Sequence, residues 1–112
     1  MHKHFLTFGL VLILGCKSDK IPEHILGVNK MANILIDIHL AEGKVEEMRL
    51  QQDTAKIYFD YFEQEIFDKH GVDPDNYKES LKYHIDNIKT LDQIYAIVLD
   101  SLNLRREVTK ID

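Results

Sequence analysis

The residues of this chain best suited to chemistry lie on one stretch: His39, Glu42 and Glu46, with Arg49 a turn further on. On a helix, spacings of three and four residues bring side chains onto one face, where an imidazole and two carboxylates can converge on a metal ion or share a proton. A metal site would need further donors from a second helix, and Glu79, His84 and Asp86 are the available ones. No Glu-x-x-His segment exists to complete a dinuclear carboxylate centre. The competing reading is structural. Glu42 falls near the middle of an apolar stripe, with Arg49 two turns along the same line and His39 three residues before it. His39, Glu42 and Arg49 then form a buried polar cluster, the carboxylate compensated by Arg49 or by a group on a neighbouring helix. Such spacing arises in any charged helix, so the structural reading is the one expected, and neither metal nor cofactor is expected with it.

Ser80 and His84 share a helix face but have no clearly assigned carboxylate to orient the imidazole, so they make a poor hydrolytic pair. No glycine-rich phosphate loop, nucleophile elbow, cysteine/histidine ligand set or HExxH segment occurs. The expectation is a non-enzymatic protein.

The elements that would position these residues are helices throughout. Asn29 is a good N-cap for a first helix over about 30–51, in which Met31, Ile34, Leu35, Ile38, Val45 and Met48 follow helical spacing. Asp53 or Thr54 can cap a second helix running to His70, with Ala55, Tyr58, Phe59, Phe62 and Ile66 inward and Ile57, Tyr61 and Phe67 widening the stripe. An aromatic stripe of this kind is core in the simplest reading. Tyr58, Tyr61 and Phe62, with Tyr83 from the next helix, are the candidate partner surface if it is not, and a peptide-holding chaperone would need them exposed. Gly71 closes the second helix; Asp73-Pro74 opens a third over about 74–85, presenting Tyr77, Leu81, His84 and Ile85 on one side. Thr90-Leu91-Asp92-Gln93 has the form of a capping box for a fourth helix to about 108, with Leu91, Ile94, Tyr95, Val98 and Leu102 inward. No strand-like alternation appears. The fold class expected is all-α, a small bundle of about four helices over residues 29–112.

Ahead of the bundle stand a basic start with Lys3, an apolar run of roughly ten residues from Phe5, and Gly15 before the only cysteine, Cys16. A bilayer-spanning helix requires about 20 apolar residues, so this run is a leader and not a span. Leu12-Ile13-Leu14-Gly15-Cys16 resembles the bacterial lipobox, which implies cleavage after Gly15 and a lipid on Cys16. Residues 1–15 are then a lipoprotein signal peptide and 16–28 the lipidated N-terminus and tether. Lys17 stands where an inner-membrane retention signal would place aspartate, and no acidic run follows the cysteine. The expected location is the outer membrane, with the periplasmic face favoured over the cell surface. Removing 15 of the 112 residues leaves 97, one small core, and removes one basic residue from a net charge of −5. That acidic balance argues against nucleic acid, which requires a concentrated positive face. With Cys16 acylated no disulfide is available, so helix packing must hold the domain together.

Pro22, Lys30-Met31 and the run from Ile34 to Glu42, followed by Phe67, His70-Gly71-Val72, Tyr77, Ser80-Leu81-Lys82-Tyr83, Ile94-Tyr95 and Val98, resemble the small Bacteroidota lipoproteins of the family called domain of unknown function 4296. That family typically has two adjacent tyrosines where this chain has Tyr83-His84. The resemblance implies an envelope setting and no enzymatic activity or cofactor. The expected function is a helical binding module or accessory subunit of an envelope complex, such as outer-membrane protein assembly or export. The rival is a metal-dependent or acid/base enzyme using the His39/Glu42/Glu46 face.

Overall fold

The computed structural model describes residues 20–111. Residues 1–19, on which the expected leader and the expected lipidation of Cys16 fall, and Asp112 lie outside them. Among the described residues are four helices and no strand: α1 Val28–Glu47, α2 Gln52–His70, α3 Pro74–Asp86 and α4 Ile88–Ile111. The all-α bundle of about four helices is therefore what this sequence forms.

The central element is α1. Met31, Ala32, Ile34, Leu35, Ile36, Ile38, Ala41 and Val45 are all buried, a set too wide for one stripe. A helix apolar on more than one side must be covered on more than one side. Accordingly α2 and α4 both pack along α1 far more than on each other, and α3 bridges α4 to α1. Ile66 and Phe67 of α2, Tyr77 of α3, and Ile94 and Val98 of α4 complete the core, with the rings of Phe67 and Tyr77 at 4.9 Å.

The helix ends follow local chemistry in some places and packing in others. At the end of α2, Gly71 takes a left-handed φ of 65°, and Gly71 N and Val72 N donate to the carbonyls of Asp68 and Phe67. The Asp73 side chain accepts from Asp75 N, and Pro74 occupies the first helical position, as the sequence predicts. Elsewhere the boundaries move. α1 starts after Gly27, so Asn29 sits inside its first turn, and α2 starts after Gln51, ahead of Asp53 and Thr54. α1 stops at Glu47 because Arg49 adopts a left-handed φ of 52°, so Met48 and Arg49 lie outside the helix. Thr90 is not an N-cap either. The turn between α3 and α4 is the single residue Asn87, whose carbonyl accepts from Thr90 N, Leu91 N and the Thr90 hydroxyl.

The expected inward stripes are corrected at several positions. Ile57, Tyr58 and Tyr61 are exposed because α2 has α1 as its principal neighbour and buries only its C-terminal part, at Ile66 and Phe67. Ile85, Tyr95 and Met48 are likewise exposed, at the end of α3, on the open side of α4 and past the end of α1.

Two substitutions test this account. A Cβ at Gly71 meets nothing within 4 Å, so Gly71→Ala should cost only the backbone penalty of the left-handed conformation, about 1–2 kcal/mol. Ile94→Ala, in the fully buried α1–α4 contact, should cost about 2–5 kcal/mol. Urea denaturation with far-ultraviolet circular dichroism distinguishes them, the α4 variant losing the larger share.

Candidate functional site

His39 and Glu42 come together as their spacing requires, Nδ1 lying 3.2 Å from Oε2. They do so at the surface: the Glu42 side chain is 52% exposed. The expectation of a buried polar cluster with Arg49 is therefore corrected. Arg49 is an exposed residue of the α1–α2 turn, its backbone rotated out of the helical line that would have aimed it at Glu42. The His39 ring instead lies 6.2 Å from Tyr95 of α4. Glu46 is exposed and lines an open cleft of about 480 Å3 with Glu42, Asp53, Lys56 and Phe59.

Other helices add groups to this side of α1 that the spacing rules did not pick out. Burial pushes the Glu63 carboxyl of α2 up, as do the charges of Asp60 and Glu42, against Lys78 and Lys56. Burial raises the Tyr77 phenol to about 12, with Glu63, Tyr95 and Glu42 adding to it. Carboxylates of α1 and α2 thus share one electrostatic field with the phenols of Tyr77 on α3 and Tyr95 on α4. Among the described residues, no three His, Cys, Asp or Glu side chains are arranged to hold a metal ion.

The proposed second-helix donors go elsewhere. Glu79 meets His24 of the tether at 3.3 Å, and Asp86 lies at the α3–α4 corner. His84 is fully buried beside Ser80, and the two grip the tether. Leu26 N donates to the Ser80 hydroxyl at 2.9 Å, and His84 Nε2 donates to the Leu26 carbonyl at 2.7 Å. Ser80 passes its own hydrogen to Asn76 Oδ1, while the Thr90 hydroxyl sits 2.8 Å from His84 Nδ1. Two side chains one turn apart thus satisfy both backbone polar groups of one half-buried residue outside the helices, as a neighbouring strand would. With the Ser80 hydrogen committed to Asn76 and both residues out of contact with solvent, this pair is not a nucleophile and its base.

A second polar tie joins α1 to the end of α2. His70 Nε2 lies 2.7 Å from Asp37 Oδ2 and Lys69 Nζ lies 3.1 Å from the same oxygen, while Lys30 Nζ donates to the His70 carbonyl. Burial alone would raise the Asp37 carboxyl, but hydrogen bonds from His70 and Lys69, and their charges, outweigh it and hold its pKa below the ordinary carboxylate value. Nothing in the local sequence signals this pair, because its members are 33 positions apart.

Beside that tie runs an open groove of about 290 Å3 between α1 and α2, with Leu40, Ala41, Phe62 and Ile66 as floor and Lys44, Glu65 and Lys69 at the rim. Lys44 Nζ stands 4.8 Å from the centre of the Phe62 ring. Tyr61 packs edge-on to Phe62 and hydrogen-bonds to Glu65, which pushes its phenol up. Of the candidate partner surface, Tyr58 and Tyr61 are exposed and Phe62 is half-buried, forming one continuous face. Tyr83 belongs to a different region, edge-on to His84 at the α3–α4 corner.

Residues 22–108, from the tether through most of the last helix, match the family described as domain of unknown function 4296. The chain belongs to that family. No curated protein and no solved structure matches it. In this member of the domain of unknown function 4296 family, the matched region takes in the tether segment gripped by Ser80 and His84, so the grip lies within the family unit and not outside it.

Two measurements follow. Ser80→Ala leaves the Leu26 amide without its acceptor and should cost about 1–3 kcal/mol, with faster hydrogen exchange at that amide marking the cause. Because the Asp37 pKa is depressed on folding, its contribution is present above the ordinary carboxylate value and is lost as pH falls through the lowered one. Asp37→Asn should therefore be less stable than wild type at neutral pH, by an amount on the order of 1 kcal/mol. Denaturation series at descending pH should show that gap closing in acid.

Proposed function

We propose that this protein is a lipid-anchored, non-enzymatic binding module of the bacterial envelope, held by Cys16 to the outer membrane on its periplasmic side. In this reading it docks another envelope protein through the outer face of α2. The observation that carries the proposal is the exposed aromatic and aliphatic surface of that helix. Ile57 is 69% exposed and Tyr61 is 61% exposed, with Tyr58 between them on the same helix, and Phe62 opens into the α1–α2 groove. Adjacent exposed tyrosine and isoleucine side chains are costly to leave in water and are typical of the centre of a protein interface. The lysines and Glu65 at the groove rim would supply the polar edge. An accessory subunit of outer-membrane protein assembly or export is the narrower form of this reading.

The rival, an acid/base enzyme at the His39/Glu42/Glu46 face, has one observation in its favour: the raised Glu63 carboxyl, which shares its field with Glu42 and Tyr77. Burial beside like charge accounts for that shift without a reaction, and the exposure of Glu42 gives a substrate no enclosed site.

The test is mild extraction of the tagged, full-length protein from native envelopes, with a Cys16→Ala control. A membrane-protein partner should copurify with the wild type. The double variant Ile57→Ser/Tyr61→Ser should lose the partner at least ten-fold while its melting temperature stays unchanged, since both side chains are exposed. Retention of the same partner by the double variant would remove the α2 face from the proposal.

A further inference from the structure

The corner between α3 and α4 carries an apolar surface of its own. Ile88 is 72% exposed and Ile85 is 55% exposed, one on each side of Asn87. Ile21 lines a cleft of about 540 Å3 with Tyr83, Asp86, Asn87, Ile88 and Lys89, so the chain enters the domain against this corner. The entry is held in place a few residues later, where Ser80 and His84 grip the backbone of Leu26. Lys89 follows Ile88 and lines the cleft, Lys20 precedes Ile21 in the chain, and Lys82, three residues before Ile85, shares its side of α3. Asp86 and Glu23 are acidic residues of the same region, as are Asp92, four residues after Ile88 on α4, and Glu79, three before Lys82 on α3.

We propose that this corner is a membrane contact: Ile85 and Ile88 sit in the interfacial layer of the bilayer, with Lys20, Lys82 and Lys89 reaching anionic headgroups. The inference rests on the lipid-anchored reading above. The length of the preceding chain identifies the occupant. Lys20 is four residues from Cys16, so even a fully extended segment, at about 3.3–3.6 Å per residue, keeps the start of the domain within about 14 Å of the acylated residue. An exposed apolar corner held that close to the bilayer meets lipid before it meets anything else. Isoleucine side chains bury readily at the headgroup–acyl boundary, and lysines extend their stems alongside while keeping the ammonium in the polar layer.

The consequence is orientation. An acyl anchor alone lets a domain swivel, whereas a second contact holds it upright. α1 starts just after the gripped Leu26 and runs for 20 residues, so with α1 upright its far end would stand about 30 Å further from the bilayer than its start. The N-terminal half of α2, which follows that far end, is thereby presented to the periplasm.

The chain contains no tryptophan, so a single substitution provides a depth probe. Full-length protein carrying Ile88→Trp or Ile57→Trp is purified with its acyl group and placed in vesicles of phosphatidylethanolamine and phosphatidylglycerol, with plain or brominated acyl chains. Both positions are exposed, and matching circular dichroism spectra confirm the folds. The expected result is a blue-shifted Ile88→Trp emission quenched several-fold by brominated lipid, an unaffected Ile57→Trp emission, and loss of the quenching when Ile85→Asp is added. Unquenched Ile88→Trp emission, or equal quenching of both probes, overturns the proposal. The mass of the purified protein separates this from the reading beneath it. If Cys16 carries no acyl group the anchoring reading fails, and coupling the same thiol to maleimide lipid in the vesicles then poses the orientation question with the same two outcomes.

Discussion

Everything in this fold follows from one helix that cannot be left in water on either side. Between Met31 and Ile38, every residue except Asn33 and Asp37 is buried, so α1 requires cover from two directions. α2 and α4 supply it from separate positions and, lying apart, do not cover one another. Each therefore keeps an outer face that no part of the described chain closes. The exposed Ile57 and Tyr61 of α2, and Leu99 and Leu104 of α4, are a direct result of burying α1 first. In a chain this short, covering the central helix takes most of the apolar surface there is, and the outer helices are left half-used.

The polar contacts between elements gather at the end of the domain where the chain enters. Ser80 and His84 are the polar side chains buried most deeply among the described residues, and both serve the backbone of Leu26. The half-buried Leu26, outside any helix, has a donor and an acceptor to be met, and side chains one turn apart on α3 meet them at the spacing of a single residue's N–H and C=O. The tether thereby becomes part of the domain instead of a loose leash. The Asp37–His70 pair, with Lys69 and Lys30, ties the C-terminal end of α2 to α1. The opposite end of this helix pair, around Val45, Ala55 and Phe59, is joined by apolar contact across an open cleft and by a turn in which Arg49 holds a left-handed conformation. Secure connections thus gather at the end where the chain enters, and the looser end carries the exposed aromatic face.

The sequence alone determined the helical class, the number of helices, the left-handed stop at Gly71 and the Asp73-Pro74 start, because each depends on residues within one or two turns of one another. Family membership was legible for the same reason, from short segments in order. It also placed His39 beside Glu42, a contact within one turn. What only the tertiary structure decided was which apolar residues would find a neighbour. Tyr58 and Tyr61 lie on a helical stripe as regular as that of α1, yet stay exposed because helical period shows which side chains share a face and not whether another helix lies against it. Glu42 missed Arg49 because a single backbone rotation ended α1 two residues short of it. The Leu26 grip spans 54 and 58 positions and the Asp37–His70 pair 33. Contacts of that range exist only once packing around α1 has brought distant segments together, and no local pattern of residues encodes them.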